Sequence, residues 1–226
     1  AAFGGTAVIN FLAGASTFNV AAPLAGQTTV DAAGTATDDS ITINVTDSGA
    51  DAIANSNIVS TDYETMTIST SGTGLDANQD FGTVTMTAST GGTTTLKVIG
   101  DNAVVTAGAL TAETIDFSGL TDTDGFQMGA AAVGVTTITG SAGNDTLRGD
   151  ASSTINAGAG NDTLFGGSGA DTIDGGEGDD HLTASAGNDT VTLGAGNDTY
   201  LLDADADMNA ADSIDAGEGT ADILHF

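Results

Sequence analysis

From Gly140 to Leu201 the chain repeats itself every nine residues, a period that few folds can use. In register the frames are GSAGNDTLR (140–148), a shortened GDASSTIN (149–156), AGAGNDTLF (157–165) and GGSGADTID (166–174). GGEGDDHLT (175–183), ASAGNDTVT (184–192) and LGAGNDTYL (193–201) complete the run. The segment AAVGVTTIT (131–139) keeps the same phase, with Gly134 and Ile138 in place but no aspartate, and reads as an uncharged leading turn. Position 4 is glycine at 143, 160, 169, 178, 187 and 196, where a chain can reverse at positive φ without a Cβ clash. Position 8 is Leu147, Ile155, Leu164, Ile173, Leu182, Val191 and Tyr200. One apolar side chain per nine residues makes no core alone, but stacked turn upon turn it makes a continuous column.

Position 6 carries the chemistry: Asp145, Asp162, Asp171, Asp180, Asp189 and Asp198. If two repeats complete one coil, alternate repeats stack, giving one row of Asp145, Asp162, Asp180 and Asp198 and an opposite row of Asp171 and Asp189. Row neighbours then sit one strand spacing apart, about 4.8 Å. Carboxylates at that distance repel by roughly 1 kcal/mol in water and several-fold more near a protein surface. A hard divalent cation removes the repulsion, and the bare carbonyls of the glycine turns complete its oxygen shell. The flexible coordination of Ca2+ suits such a site better than the strict octahedron of Mg2+.

These frames resemble the G-G-x-G-x-D-x-U-x repeat of RTX proteins over about residues 131–226. The resemblance implies a parallel β-roll that binds several Ca2+ ions, each Asp carboxylate bridging cations. It also implies carbonyl ligands from positions 1 to 4. In this chain those are Gly140, Ala142, Gly143, Ala157, Ala159, Gly160, Gly166, Ser168, Gly169, Gly175, Glu177 and Gly178. Ser153 stands where the second frame should have aspartate, so the first site on that side is expected to be weak or absent. Asp203, Asp205 and Asp207 open like an EF-hand loop, but Met208 and Ile214 replace its required Gly and Glu, which excludes that motif. They remain candidates for a terminal cation or a charged cap. DSIDAGEGTADILHF (212–226) reads as a closing repeat with one inserted residue around Asp222, a further candidate ligand.

Upstream the period is two. Ile41, Ile43 and Val45 share one face of a strand, as do Met66 and Ile68, Val84 and Met86, and Leu96 and Val98, with Thr on the outer faces. A short helix is plausible only near Asp51–Ser56. The expected fold is all-β. A Thr-rich, solenoid-like β-domain over 1–130 continues into a β-roll with a terminal cap over 131–226.

Thirty-one acidic residues against two basic ones, Lys97 and Arg148, give a net charge of −29. That field repels nucleic acid and anionic membranes and selects cations as partners. No apolar run approaches the roughly 20 residues of a membrane span, so no membrane insertion is expected. There is no cysteine for disulfides or thiolate metal sites. The start lacks both Met and a basic-then-apolar leader, which suggests a piece of a longer protein.

Enzyme signatures are missing from the sequence. His181 and His225 form no H-E-x-x-H, and GGSGA (166–170) is a repeat turn rather than a nucleophile elbow. No catalytic residue and no enzymatic activity are expected. An ice-binding face is disfavoured because position 3 holds Ala142, Ala159, Ser168, Glu177, Ala186 and Ala195 rather than a Thr row.

Residues 92–143, with TAGALTAETIDFSGL leading into TTITGSAGNDTL, are similar to RTX-type bacterial surface-layer proteins, as is the upstream NSNIVSTDYETMTIST. That resemblance implies a structural, Ca2+-dependent protein exported by type I secretion. It would self-associate into a two-dimensional lattice at the bacterial cell surface, with a cell-surface polysaccharide as a candidate partner. The alternative is an extender or ligand-binding domain of a secreted RTX adhesin.

Overall fold

Alternating Thr and branched apolar residues favour extended backbone, and frequent glycine turns fold it back on itself. A computed structural model describes residues 3–4, 7–12, 15–20, 24–25, 27–33, 39–45, 56–70, 78–87, 92–101, 103–106, 108–183, 186–201 and 212–225. Among these there is no helix, and the strand pairings are parallel. The helix expected near 51–56 falls outside the described residues except for Ser56, which opens a strand.

Apart from a two-stranded sheet of Phe3–Gly4 with Leu24–Ala25, strands alternate between two sheets, so the chain winds as a parallel β-solenoid. Sheet I has ten strands: Ala15–Val20, Ser40–Val45, Thr65–Ser69, Thr95–Gly100, Thr114–Leu120, Thr137–Thr139, Thr154–Ala159, Thr172–Glu177, Thr190–Ala195 and Ser213–Asp215. Sheet II runs from Ala7–Leu12 through Gln27–Ala33, Ser56–Thr61, Asn78–Thr87, Ala103–Thr106, Phe126–Met128, Thr146–Arg148, Thr163–Phe165, His181–Thr183 and Thr199–Leu201 to Ile223–His225. A twelfth strand, Leu110–Thr111, pairs beside Asn78–Thr87. Both sheets cross position 130 without interruption. Thr114–Leu120 pairs with Thr137–Thr139, and Phe126–Met128 with Thr146–Arg148.

The period-2 reading gives the core. Ile41, Ile43, Met66, Ile68, Val84, Met86, Leu96 and Val98 are all buried between the sheets. Facing residues Phe117 and Phe126 stack with ring centroids 3.6 Å apart and planes 7° apart. Downstream the column narrows to the position-8 residues, Leu147, Ile155, Leu164, Ile173, Leu182, Val191 and Tyr200, every one of them buried. The outer face of sheet I carries a register of hydroxyls: Ser40, Thr65, Thr95, Thr114, Thr137, Thr154, Thr172, Thr190 and Ser213.

Candidate metal centre

The aspartates lie in the turns, one residue before each strand, in the two rows expected from the coil geometry. Between sheets I and II, the Asp145 N–H donates to Asp162 Oδ1 (2.7 Å) and the Asp162 N–H to Asp180 Oδ1 (2.8 Å). Asp180 donates to Asp198 Oδ1 (2.8 Å) and Asp198 to Asp222 Oδ1 (3.1 Å). On the opposite edge Ser153 donates to Asp171 (2.7 Å), Asp171 to Asp189 (2.9 Å) and Asp189 to Asp212 (2.9 Å). Each carboxylate therefore uses one oxygen to hold the coil before it.

The other oxygen has a different fate. Oδ2 of Asp162, Asp180 and Asp198 is buried and makes no hydrogen bond, although each residue is at most 2% exposed. An unpaired buried carboxylate oxygen is costly. Burial above all, with neighbouring carboxylates adding to it and the backbone donor opposing, pushes Asp162 up to about 8. The same causes bring Asp180 to about 6. Burial also raises Asp198. The metal-free rows are thus electrostatically incomplete in the way a cation would correct.

Glycine keeps room for that cation. A Cβ on Gly175 would collide with both the Leu193 carbonyl oxygen and Asp180 Oδ2, so position 1 borders an oxygen-lined space closed by two successive coils. Gly176 and Gly178 have φ of 101° and 123°, and a Cβ on either would strike a carbonyl oxygen of the preceding coil, Gly158 or Gly160. Position-4 glycine is left-handed as expected at Gly160, Gly169, Gly178, Gly187 and Gly196 but not at Gly143, and position 2 adds a second left-handed residue that the frame alone did not reveal. Among the expected carbonyl ligands, the Ala157 oxygen lies against Gly140 of the coil before it and the Gly160 oxygen against Gly178 of the coil after it, while the Glu177 carbonyl accepts the Gly160 N–H at 2.8 Å. Among the described residues no group of three or more His, Cys, Asp or Glu side chains converges on a metal position. A cation in these rows would rely on paired carboxylates and backbone carbonyls.

Asp222 takes the rung expected of it, whereas Asp203, Asp205 and Asp207 lie outside the described residues. Two features escaped the sequence reading. Asp212 joins the second row although no glycine turn precedes it; its D-x-U continuation, Asp212-Ser213-Ile214, was the available signal. Far upstream, the Asp39 N–H donates to Glu64 Oε2 at 3.0 Å, both residues buried. They precede the sheet I strands in the register position that Ser153, Asp171 and Asp189 hold later. The row architecture thus predates the nonapeptides within the same solenoid, at a 25-residue spacing.

Comparison with protein families agrees with the geometry. The model of the RTX calcium-binding nonapeptide repeat (four copies) matches residues 133–153, 149–182 and 174–208. No curated protein and no solved structure gave a match. Residues 133–208, with their rows of buried aspartates, are RTX calcium-binding nonapeptide repeats, and Ca2+ at several sites is their cofactor.

Proposed function

We propose that this chain is a structural, non-enzymatic protein of the bacterial cell surface, folded by Ca2+ outside the cell and self-assembling into a surface layer. The observation that carries the reading is the set of buried, unpartnered Oδ2 atoms on Asp162, Asp180 and Asp198. Ca2+ would neutralise them and their row neighbour Asp222, and in the opposite row Asp171, Asp189 and Asp212. Where calcium is scarce the rows repel and the repeats stay unfolded, a state suited to type I secretion; where it is abundant, binding free energy becomes folding free energy. Extracellular calcium modules bind with Kd of about 10⁻⁴–10⁻³ M, a range suited to that switch. The similarity of residues 92–143 to surface-layer proteins favours a lattice over an adhesin module.

The test is a Ca2+ titration of EDTA-treated protein followed by circular dichroism and light scattering, with Mg2+ as control. A cooperative, calcium-specific gain of β signal together with growth of sheet-like particles is the expected result. A gain without particles would move the chain to the adhesin reading, and no gain would remove the calcium switch.

A further inference from the structure

The first rung of the roll differs from those that follow. Asp145 is 2% exposed, like its row neighbours, yet both its oxygens are satisfied from within the protein. Oδ1 accepts the Phe126 N–H (2.5 Å), and Oδ2 accepts the Ser141 N–H (2.7 Å). The Ser141 hydroxyl lies 3.1 and 3.0 Å from the two oxygens and itself accepts the Gly143 N–H at 3.1 Å.

Position 2 of the repeat explains the difference. In the following turns of this row position 2 is Gly158, Gly176 or Gly194, with φ of 110°, 101° and 106°. Ser141, with a Cβ, does not share that left-handed backbone: the only described non-glycine residue at positive φ is Asp62. Its N–H turns inward to the carboxylate instead of joining the sheet, where Gly158 pairs with Gly176. The opposite turn of the same coil behaves alike. Asp150 holds position 2, and its N–H donates to Ser153 Oγ at 3.2 Å, with a short hydroxyl in place of the missing carboxylate. Above this coil lies Phe126, stacked on Phe117, so the row ends against aromatic core. Ser185 holds position 2 of a later repeat and lies outside the described residues.

We propose that Asp145 is not a calcium ligand: Ser141 takes the cation's place, making the first coil of the roll a metal-independent template for the calcium-dependent coils. This rests on the calcium reading above and revises the expectation that all six position-6 aspartates bind alike. Two donors, an N–H and an O–H, supply the positive electrostatic potential that a cation supplies elsewhere.

Amide exchange of the intact chain, read by NMR in EDTA and in Ca2+, tests the template without mutation. The amides of Phe126 and Ser141 should keep the same protection in both. Those of Asp162 and Asp180 should lose about a hundredfold in EDTA, the factor expected when free calcium is about a hundred times Kd. A second arm counts bound calcium by titration calorimetry. Asp145→Asn should bind as many ions as the unaltered chain, and Asp180→Asn fewer. Loss of protection at Phe126 and Ser141 alongside the later rungs, or one ion fewer in D145N, would overturn the proposal while leaving calcium binding intact. An unaltered chain that binds no calcium would overturn the functional reading and this inference together. Should D145N fail to fold, the exchange arm decides alone.

Discussion

The two halves of the solenoid solve one problem with different materials. Residues 39–128 bury paired apolar residues on their strands, Ile41 with Ile43, Met66 with Ile68, Ile115 with Phe117, and close the interior with an aromatic stack. Residues 140–201 have mostly one apolar side chain per strand but a buried aspartate in almost every turn. Fully burying a Phe, Ile or Leu contributes about 1.5–3 kcal/mol, so the upstream coils can hold themselves together by desolvation. The downstream coils are too thin for that and spend their turns on charged rungs that need a counterion. A β-solenoid is thus a neutral scaffold: the coil is the same, and sequence decides whether oil or metal binds it.

Calcium withdrawal should break this comparison most visibly. In EDTA at pH 8, hydrogen-exchange mass spectrometry should show 154–201 losing protection while 57–70 and 92–120 keep theirs. At calcium a hundredfold above Kd each site contributes about 2.7 kcal/mol, so losing several exceeds any single core substitution. Simultaneous loss in both halves would mean that the upstream core cannot stand alone.

Acid should partly replace the metal. The folded-state values of about 8 for Asp162 and about 6 for Asp180 lie above the ordinary 3.8. A carboxyl raised in this way favours the folded state while protonated. The contribution of these two groups to metal-free stability is therefore full below pH 3.8 and lost as pH climbs through about 6 and about 8. Urea midpoints in EDTA should be higher at pH 4.5 than at pH 8.5 for the roll; a flat or inverted profile would deny that the rows are strained.

Next in size, Phe117→Ala should cost about 3–5 kcal/mol with or without calcium, because it empties the aromatic stack. Thermal unfolding in both conditions checks this, and a calcium-dependent loss would blur the boundary between the halves. Gly178→Ala should do the converse at about 1–3 kcal/mol, forcing a Cβ onto φ of 123° beside the Gly160 carbonyl. Its effect should be read as weaker calcium affinity. Smallest is Lys97→Ala. The 3.0 Å pair with Asp116 links adjacent coils but is part-exposed, so a change of about 0.2–1 kcal/mol that shrinks with salt is expected.

How much of this was legible follows from where the period is strict. Constant phase from 157 to 201, after a single one-residue slip at 149–156, let position 6 be assigned to two rows, because an eighteen-residue coil leaves no freedom in pairing. Asp39 and Glu64 hold the same register, but a 25-residue coil hides the correspondence in loops of variable length. Asp212 was obscured because a ten-residue segment stands where its glycine turn should be. Asp145 was legible as a rung but not as a different kind of rung. Position 6 alone looks uniform; the Ser141 backbone, turned away from the glycine conformation, and the Ser141 hydroxyl distinguish it.

The hydrogen bonds between coils point along the solenoid axis, while the chain itself runs across that axis. Pulling on the chain therefore peels coils singly instead of shearing a whole sheet. From Asp162 to Asp198 each coil releases the eighteen residues between equivalent rungs, about 60 Å of extended polypeptide. Mechanical load on such a protein is met in steps of nearly constant length, and the resistance of each step is set by the calcium around it.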